Sequence, residues 1–218
     1  MTDFQTYRQR LYTGVISDVL DSLGRMNQAM RPFIRPLDDQ LVMMGRARTG
    51  LYALTYSVKA AENPYELEID LVDSLQKGEV AVLACNGPTE RIAPWGELLS
   101  TAAHFRGAQG CVTDGLVRDT RHIRDLKFPV FHGGIGPLDS KGRAKIVEID
   151  TPIVCAGVAI RSGDIVFGDI DGVVVIPQEI EAEVLATAMD KVNSENATRD
   201  ELRMGLALRQ VYDKYGVL

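Results

Sequence analysis

The chain has 218 residues, 45% of them hydrophobic and 25% charged, which is the composition of an ordinary globular protein. Its formal net charge of −6 argues against non-specific nucleic-acid binding, because that binding depends on neutralising phosphates with Lys and Arg. No run approaches the roughly 18 consecutive apolar residues of a membrane span, and the N-terminus lacks the apolar core of a signal peptide. We therefore expect a cytoplasmic protein that binds neither membrane nor nucleic acid.

The first third of the chain alternates predicted helices and strands. Apolar side chains recur at helical spacing through residues 4–24, and Gly24 is a typical residue after a helix end. Residues 41–54 have the composition of a strand. The stretch from Pro64 to Gln76 is amphipathic with helical spacing, and residues 79–85 form a short apolar run that predicts a buried strand.

The stretch from Trp95 to Asp119, WGELLSTAAHFRGAQGCVTDGLVRD, organises the rest of the chain. It predicts a loop, a short amphipathic helix that starts near Glu97, a buried strand at Cys111 and Val112, and a turn over residues 113–115. If the helix and the strand run antiparallel, the chain returns to the edge where the stretch began. Glu97 and Asp119 are then expected to face one another across one pocket.

The second half of the chain predicts more strands and then a helical end. Residues 120–126 favour a short helix, and the glycine-rich loop of residues 132–136 is expected to form a wall of the pocket. Further strands are predicted over 144–160, and Asp171-Gly172 predicts a hairpin within 164–177. The last forty residues are amphipathic with helical spacing. Strands in the middle, flanked and closed by helices, indicate one α/β domain over residues 1–218.

Three polar residues in the 95–119 stretch suggest chemistry. The free backbone amides of a first helical turn favour anions, so those at Glu97, Leu98 and Leu99 are candidates for holding a substrate carboxylate. Arg118 has the fork that grips a carboxylate with two hydrogen bonds, and Asp119 suits a hard divalent cation. The alternative is structural, because neighbouring Arg-Asp pairs are commonly solvated ion pairs.

Four stretches of the chain resemble the RraA-like family. They are PWGELLSTAAHFRGAQGCVTDGLVRD with the following FPVF, the GDIDGVVVIP hairpin, and the closing LRQVYDKYGVL. This family includes metal-dependent class II 4-hydroxy-4-methyl-2-oxoglutarate/4-carboxy-4-hydroxy-2-oxoadipate aldolases, and also regulators of ribonuclease activity. The resemblance implies a swivelling β/β/α fold with a sandwich-like core flanked by helices. It also implies homotrimers or homohexamers, with the C-terminal helices of about 179–215 at the subunit interface.

The aldolase motif of the family is an acidic residue, twenty residues, and then Arg-Asp. Glu97, Arg118 and Asp119 match it, with Glu where the aldolases usually carry Asp. The resemblance implies that Asp119 binds Mg²⁺ or Mn²⁺ directly, that Arg118 binds the pyruvyl carboxylate and the enolate, and that Glu97 reaches the metal through a water that acts as base. It assigns substrate binding to Arg118 and to the start of the helix, at Gly96, Glu97, Leu98 and Leu99.

The motif in this chain does not supply every ligand of the metal site that the resemblance implies. The extended motif often has an acidic residue three positions after the Asp, and His122 stands there in this chain. In the aldolases a Glu from the neighbouring subunit's C-terminal helices also holds metal water. The candidates for that role here are Glu195, Asp200 and Glu201.

The resemblance implies a carbon–carbon lyase that cleaves a 4-hydroxy-2-oxo acid to pyruvate and a carbonyl compound, with oxaloacetate decarboxylation as a side activity. The alternative is a regulator without catalysis that binds and inhibits a ribonuclease. A third reading is a related enzyme acting on a sugar-derived 2-oxo acid. Lys141 and Arg143 are expected to be solvated, with contact to a distal substrate carboxylate as the alternative.

Overall fold

The computed structural model describes residues 4–216 of the chain. The strands are β1 (Arg35–Pro36), β2 (Met43–Leu54), β3 (Glu79–Ala84), β4 (Gly110–Val117), β5 (Val130–Ile135), β6 (Ala144–Ile149), β7 (Ile153–Cys155), β8 (Val158–Ile160), β9 (Ile165–Asp169) and β10 (Gly172–Ile176). The α-helices are α1 (Gln5–Arg10), α2 (Thr13–Ser22), α3 (Glu66–Ser74), α4 (Glu97–Phe105), α5 (Thr120–Leu126), α6 (Glu181–Arg203) and α7 (Leu208–Tyr215).

Eight of the strands form one curled sheet, in the order β1-β5-β4-β3-β2-β9-β10 with β6 also paired to β2. The four neighbours β5, β4, β3 and β2 are parallel, and the remaining pairings are antiparallel. A bridge between Ala29 and Val174 brings the segment before β1 against β10, so the sheet is nearly closed. Strands β7 and β8 form a separate hairpin.

Alternating side chains of the central strands pack on two different layers. On β3, Ala81 and Leu83 belong to a core shared with α3, α4 and α5, whereas Val80 and Val82 face a core shared with the β7–β8 hairpin. This alternation is what a strand buried on both faces requires. A third core lies between α2, α6 and the strands β9 and β10. The structure confirms the α/β class, the sheet core flanked by helices and the helical C-terminus.

The single helix predicted over residues 4–24 is wrong in one respect, because it is two helices. Leu11 and Tyr12 are extended, with ψ of 161° and 160°. The second helix begins at Thr13, whose backbone amide and hydroxyl both donate to the carboxylate of Asp169, at 2.8 and 2.7 Å. A buried carboxylate at this point satisfies first-turn donors and starts a new helix.

The turn predicted at residues 113–115 is also wrong, because these residues lie inside β4. Asp114 is 1% exposed and accepts the amides of Cys85 and Gly87, at 2.6 and 2.8 Å. Its carboxylate therefore ties β4 to the loop after β3. Thr-Asp-Gly is typical of turns, but here the polar side chain has buried backbone partners within the sheet.

The glycine-rich loop predicted over residues 132–136 lies mostly inside β5, where it contributes close packing, and it does not line the candidate pocket described below. A Cβ placed on Gly133 would lie 2.7 Å from the carbonyl oxygen of Asp114. The close backbone approach expected of these glycines is therefore present, but it is made to β4. Among the helices between residues 4 and 216, not one has both the length and the hydropathy of a membrane-spanning helix.

Candidate active site

The start of α4 and the end of β4 meet at the edge of the sheet where its parallel strands end. Trp95 forms a parallel bridge with Val117, and the amide of Arg118 donates to the carbonyl of Trp95 at 3.1 Å. These backbone bonds hold the entry of the helix beside the exit of the strand. The two halves of the predicted motif therefore lie next to each other.

Asp119 occupies the position just before α5 with a left-handed backbone, at φ 57° and ψ 31°. Aspartate is one of the few residues that adopt this conformation readily. Its Oδ2 lies 3.4 Å from the amide nitrogen of Glu97, which donates to it, and 3.7 Å from Nε of Arg118. Asp119 therefore accepts one of the first-turn amides of α4, and the first bond within the helix is that of the Ser100 amide to the Gly96 carbonyl, at 3.1 Å.

The approach between these two segments depends on a missing side chain. A Cβ built on Gly96 would lie 2.8 Å from Oδ2 of Asp119 and 3.2 Å from Cγ of Arg118. The 2.8 Å contact is tighter than real Cβ atoms make, so a larger residue would push the carboxylate away. Gly96 thus contributes to the site because it lacks a Cβ, which lets the Asp119 carboxylate approach the start of α4.

Arg118 is shared by two carboxylates. Its Nη2 lies 3.4 Å from Oδ1 of Asp139, in addition to the contact with Asp119. The other oxygen of Asp139 accepts a hydrogen bond from the hydroxyl of Tyr65. Burial and this bond raise the pKa of Tyr65 to about 12, so the phenol keeps its proton and remains a donor at neutral pH. Arg118 is therefore held by Asp139 as well as by Asp119.

A buried carboxyl group lies beside this cluster. Glu68 is 7% exposed, and its Oε1 accepts hydrogen bonds from the hydroxyls of Tyr52 and Ser140, both at 2.8 Å. Burial raises the pKa of Glu68, although the two hydroxyl donors favour the charged form. The polar wall therefore contains a third carboxyl group besides Asp119 and Asp139.

The side chain of Glu97 points along its own helix. Its Oε1 accepts a hydrogen bond from the hydroxyl of Thr101, one turn later, at 2.8 Å. Glu97 and Asp119 do meet, but the observed contact runs through the Glu97 backbone amide. The carboxylate of Glu97 is not part of the cavity wall described next.

Side chains from five segments enclose a cavity of about 240 Å³ at this edge of the sheet. Its polar residues are Tyr65, Glu68, Arg118, Asp119, Asp139 and Ser140. The remaining wall comes from Ile69, Ala93, Pro94, Trp95, Gly96, Leu98 and Leu99. The volume suits a small molecule of a few carbon atoms, and Arg118 contacts both Asp119 and Asp139 in the wall.

Buried contacts support the floor of the cavity. The indole nitrogen of Trp95 donates to the hydroxyl of Ser100 at 2.8 Å, and that hydroxyl donates to the carbonyl of Gly96 at 2.9 Å. The Trp95 ring also stacks on Phe128, with 6.4 Å between centroids. Trp95 therefore both fills core and fixes the Gly96 turn.

The donor set around Asp119 suits a hard cation that keeps most of its water. Side-chain exposure of Asp119 is 47%, and within residues 4–216 its Oδ1 has no hydrogen-bond partner. The described chain has no group of three or more His, Cys, Asp or Glu residues arranged to hold a metal ion. Magnesium is commonly bound by one or two carboxylates with water and substrate filling the other positions. Asp119 fits that role.

The other sequence candidates lie elsewhere in the described protomer. His122 is exposed on α5, outside the cavity wall. On α6, Glu195 lies 3.8 Å from Arg199, Asp200 lies 3.3 Å from Arg203, and Glu201 pairs with Lys214. None of these three acids lines the cavity of its own protomer.

Sequence reasoning missed Tyr65, Glu68, Asp139 and Ser140. A signal for Glu68 was present, since it lies one turn before the buried Leu71 and Val72 and therefore on the apolar face of α3. A charged residue on such a face is rarely buried without partners and marks a candidate functional group. Asp139 follows a loop and has no comparable pattern.

Comparison with known proteins gives the family. A relative from Halalkalibacterium halodurans, which carries the provisional name 4-hydroxy-4-methyl-2-oxoglutarate aldolase, is 35% identical over 195 residues, or 89% of this chain and 86% of the relative. An uncharacterized protein from Pseudomonas syringae superposes with a TM-score of 0.82 at 27% identity, covering 93% of each chain.

A second solved structure extends the likeness in fold. It is RraAS2 of Streptomyces coelicolor, described as an unusual member of the RNase ES inhibitor RraA family. It has a TM-score of 0.79 at 24% identity and covers 91% of this chain and 98% of its own. The RraA-like family model, described as Aldolase/RraA, matches residues 13–175. The chain belongs to the RraA-like family.

Proposed function

We propose that this protein is a divalent-metal-dependent lyase that cleaves a 4-hydroxy-2-oxo acid to pyruvate and a carbonyl compound, with oxaloacetate decarboxylation as a side activity. The observation that carries the proposal is the meeting of Asp119, Arg118 and the first turn of α4 at one cavity. A cation site, a carboxylate site and free amides are then side by side. A 2-oxo acid carries its carboxylate and its keto oxygen on adjacent carbon atoms, so one molecule matches all of these groups.

The chain's own residues divide the work of binding. Arg118 and the amides of Leu98 and Leu99 hold the substrate carboxylate, because a guanidinium and first-turn amides both favour an anion. Asp139 and Tyr65 hold the Arg118 side chain in place. The apolar wall excludes water around the reacting carbons, which strengthens these charge interactions.

The reaction breaks the bond between C3 and C4 of the substrate. The C4 hydroxyl loses its proton as that bond breaks, C4 becomes the carbonyl product, and the electron pair moves onto C3 and the 2-oxo group. A divalent cation at Asp119 would polarise the 2-oxo group as a Lewis acid. Arg118 stabilises the negative charge on the pyruvyl half. Glu97 takes the proton through a water once its carboxylate turns from Thr101 towards the cavity. Protonation of C3 completes pyruvate.

The test is pyruvate release from 4-hydroxy-2-oxo acids in the presence of Mg²⁺ or Mn²⁺ and after EDTA treatment. We expect activity that EDTA removes and added metal restores. Rates that do not change with EDTA contradict the metal mechanism. A panel without any pyruvate release, together with capture of a ribonuclease in a pull-down, would support the family's regulatory function instead.

Site variants and a matched control distinguish the loss of a catalytic group from a general loss of folding. Asp119→Asn and Arg118→Lys should each lower kcat/KM for pyruvate release by roughly a hundredfold or more, because Asn cannot supply the charge and Lys cannot supply the fork. Asp125→Asn is the matched control, since Asp125 lies on α5 close to Asp119 and is exposed. Normal activity in either site variant contradicts the assigned roles.

We propose further that the site is completed in a homotrimer or homohexamer. Exposed apolar side chains lie on and between the C-terminal helices, at Met204, Leu206 and Leu208. The α6 acids Glu195, Asp200 and Glu201 are then candidates for the neighbouring site. Light scattering of the full chain measures the assembly, and mixing inactive Asp119→Asn protomers with Glu→Gln variants of α6 tests whether the sites are shared. A monomer in solution contradicts this proposal.

A further inference from the structure

The cavity has one positively charged group and several negatively charged or acidic ones. Arg118 is the only cation among the lining residues within the described part of the chain, whereas Glu68, Asp119 and Asp139 all contribute carboxyl groups. Arg118 already lies within 3.7 Å of Asp119 and 3.4 Å of Asp139. One substrate carboxylate can be matched by Arg118, and a second has no matching charge in this wall.

Cations near the cavity have other partners. Arg91 donates to the carbonyls of Thr55 and Arg143 and stacks over the ring of Tyr56, with its guanidinium carbon 4.4 Å from the ring centroid. Arg143 donates to the backbone carbonyl of Asp139.

Two lysines before and within β6 also lie outside the cavity wall. Lys145 pairs with Glu62. Lys141 is exposed on the loop before β6. None of the four cations lines the cavity, so neither Lys141 nor Arg143 takes the role of holding a distal carboxylate in the protomer.

The rest of the cavity is apolar. Ile69 of α3 and Leu98 and Leu99 of α4 contribute apolar side chains to the wall, and Leu98 is 78% exposed. Exposed apolar residues at the rim of a small cavity are suited to cover an apolar group of a ligand. A charged tail placed here would lose water without gaining a partner, which is unfavourable.

From these observations we infer that the carbonyl half of the substrate is uncharged and apolar: the protein selects 4-hydroxy-2-oxo monocarboxylates, which release pyruvate and a short aliphatic aldehyde. This inference rests on the proposed lyase function and narrows it. The inferred substrate differs from the one in the name of the Halalkalibacterium relative, because 4-hydroxy-4-methyl-2-oxoglutarate has two carboxylates.

Two substrates of equal carbon number test the selection. 4-Hydroxy-2-oxopentanoate gives pyruvate and acetaldehyde, and 4-hydroxy-2-oxoglutarate gives pyruvate and glyoxylate. The pyruvyl half is the same, and only the charge of the released half differs. We expect kcat/KM for the monocarboxylate to exceed that for the dicarboxylate by about tenfold or more, because an unpaired charge in the pocket has to be desolvated.

A binding measurement repeats the comparison without cleavage. 2-Oxopentanoate and 2-oxoglutarate lack the 4-hydroxyl group and should act as competitive inhibitors. We expect the inhibition constant of 2-oxopentanoate to be the lower of the two. The full-length protein with Mg²⁺ is used in both assays, so any group that a neighbouring subunit contributes is present.

A charge placed on the apolar wall should reverse the preference. Ile69→Arg is expected to raise the dicarboxylate-to-monocarboxylate ratio of kcat/KM by about tenfold, since an Arg matches the second carboxylate. Ile69→Gln, which removes apolar surface without adding charge, is the matched control and should raise the ratio far less than Ile69→Arg does. Ile69 is 45% exposed, so both side chains can be accommodated.

The outcomes are distinct. A wild-type preference for the monocarboxylate with a shift in Ile69→Arg supports the inference. A preference for the dicarboxylate, or equal rates with both, overturns the inference and leaves the lyase function standing. A lack of pyruvate from every 4-hydroxy-2-oxo acid overturns the proposed function itself.

Discussion

The backbone amide of Glu97 donates to Oδ2 of Asp119 at 3.4 Å, although 22 positions separate the two residues. The contact places the positive end of α4 against the carboxylate assigned to the metal. It also positions the free amides of the next residues around the same point. The regular geometry of a first helical turn thereby supplies part of the proposed anion site without any side chain.

Replacing Gly96 by alanine should damage the site and spare the fold. The added Cβ would lie 2.8 Å from Oδ2 of Asp119, while the backbone φ of −152° suits any residue. We expect kcat/KM for pyruvate release to fall about tenfold to a hundredfold, because small displacements of catalytic groups are costly. Gly14→Ala is the control, since its Cβ would make only an ordinary 3.6 Å contact. Full activity in Gly96→Ala would show that the carboxylate can move freely.

Glu97→Gln tests the assignment of the base. The amide oxygen of Gln can still accept from Thr101, but it cannot take a proton, so kcat should fall by about a hundredfold. Stability should change by about 1 kcal/mol or less, the usual effect of a charge at a helix start. Glu183→Gln, at an exposed first-turn position of α6, is the matched control. Unchanged kcat would assign Glu97 to the helix dipole alone.

Ser100→Ala should destabilise the protein through Trp95. The variant leaves the buried indole N–H without the acceptor that lies 2.8 Å away. An unsatisfied buried donor costs about 1–3 kcal/mol of unfolding free energy. Urea denaturation measures the loss. Ser194→Ala on α6 provides the comparison, because the Ser194 hydroxyl bonds only the Asp190 carbonyl in an exposed setting. Equal stability of both variants would contradict the buried bond.

His132 should make stability depend on pH. Burial, with a smaller contribution from Arg124, lowers the pKa of His132 from 6.5 to about 4, and its Nδ1 is buried without a partner. The unfolded chain therefore binds a proton that the folded chain excludes, and stability falls as pH drops from 6.5 towards 4. From pH 7 to pH 5 the loss attributable to His132 is roughly 2 kcal/mol.

Urea unfolding of the wild type and of His132→Leu at both pH values isolates this contribution. The wild type should lose more stability on acidification than the variant, because leucine has no proton to exclude. Parallel losses in the two proteins would mean that His132 is charged in the folded state or reaches solvent.

Local patterns predicted most elements and the central pair of the site. The apolar run of β3 and the amphipathic stretch of α4 are readable because each follows one period of burial. The 4–24 helix was misjudged because the new helix start at Thr13 depends on a carboxylate 156 positions away, at Asp169. The 113–115 turn was misjudged for a similar reason. Asp114 has partners in the loop after β3 that no local pattern can indicate.

The same limit explains why the sequence predicted only some of the residues in the site. Glu97 and Asp119 are joined by a spacer that a helix and a strand can span, so their proximity follows from local structure. Asp139 reaches Arg118 from the loop after β5, and Tyr65 reaches Asp139 from the turn before α3. Only the tertiary fold brings these segments together. Glu68 was readable in principle, since a lone carboxyl on the apolar face of α3 conflicts with the pattern around it.

The left-handed backbone at Asp119 limits what evolution can place at this position. Glycine and asparagine keep the backbone conformation and remove the carboxylate, whereas a β-branched residue at φ 57° would strain the turn into α5. If Asp119 holds the metal as proposed, Asn or Gly at the equivalent position of a relative would keep the turn into α5 and remove the cation ligand. We expect such a relative to keep the fold and to lack the proposed lyase activity.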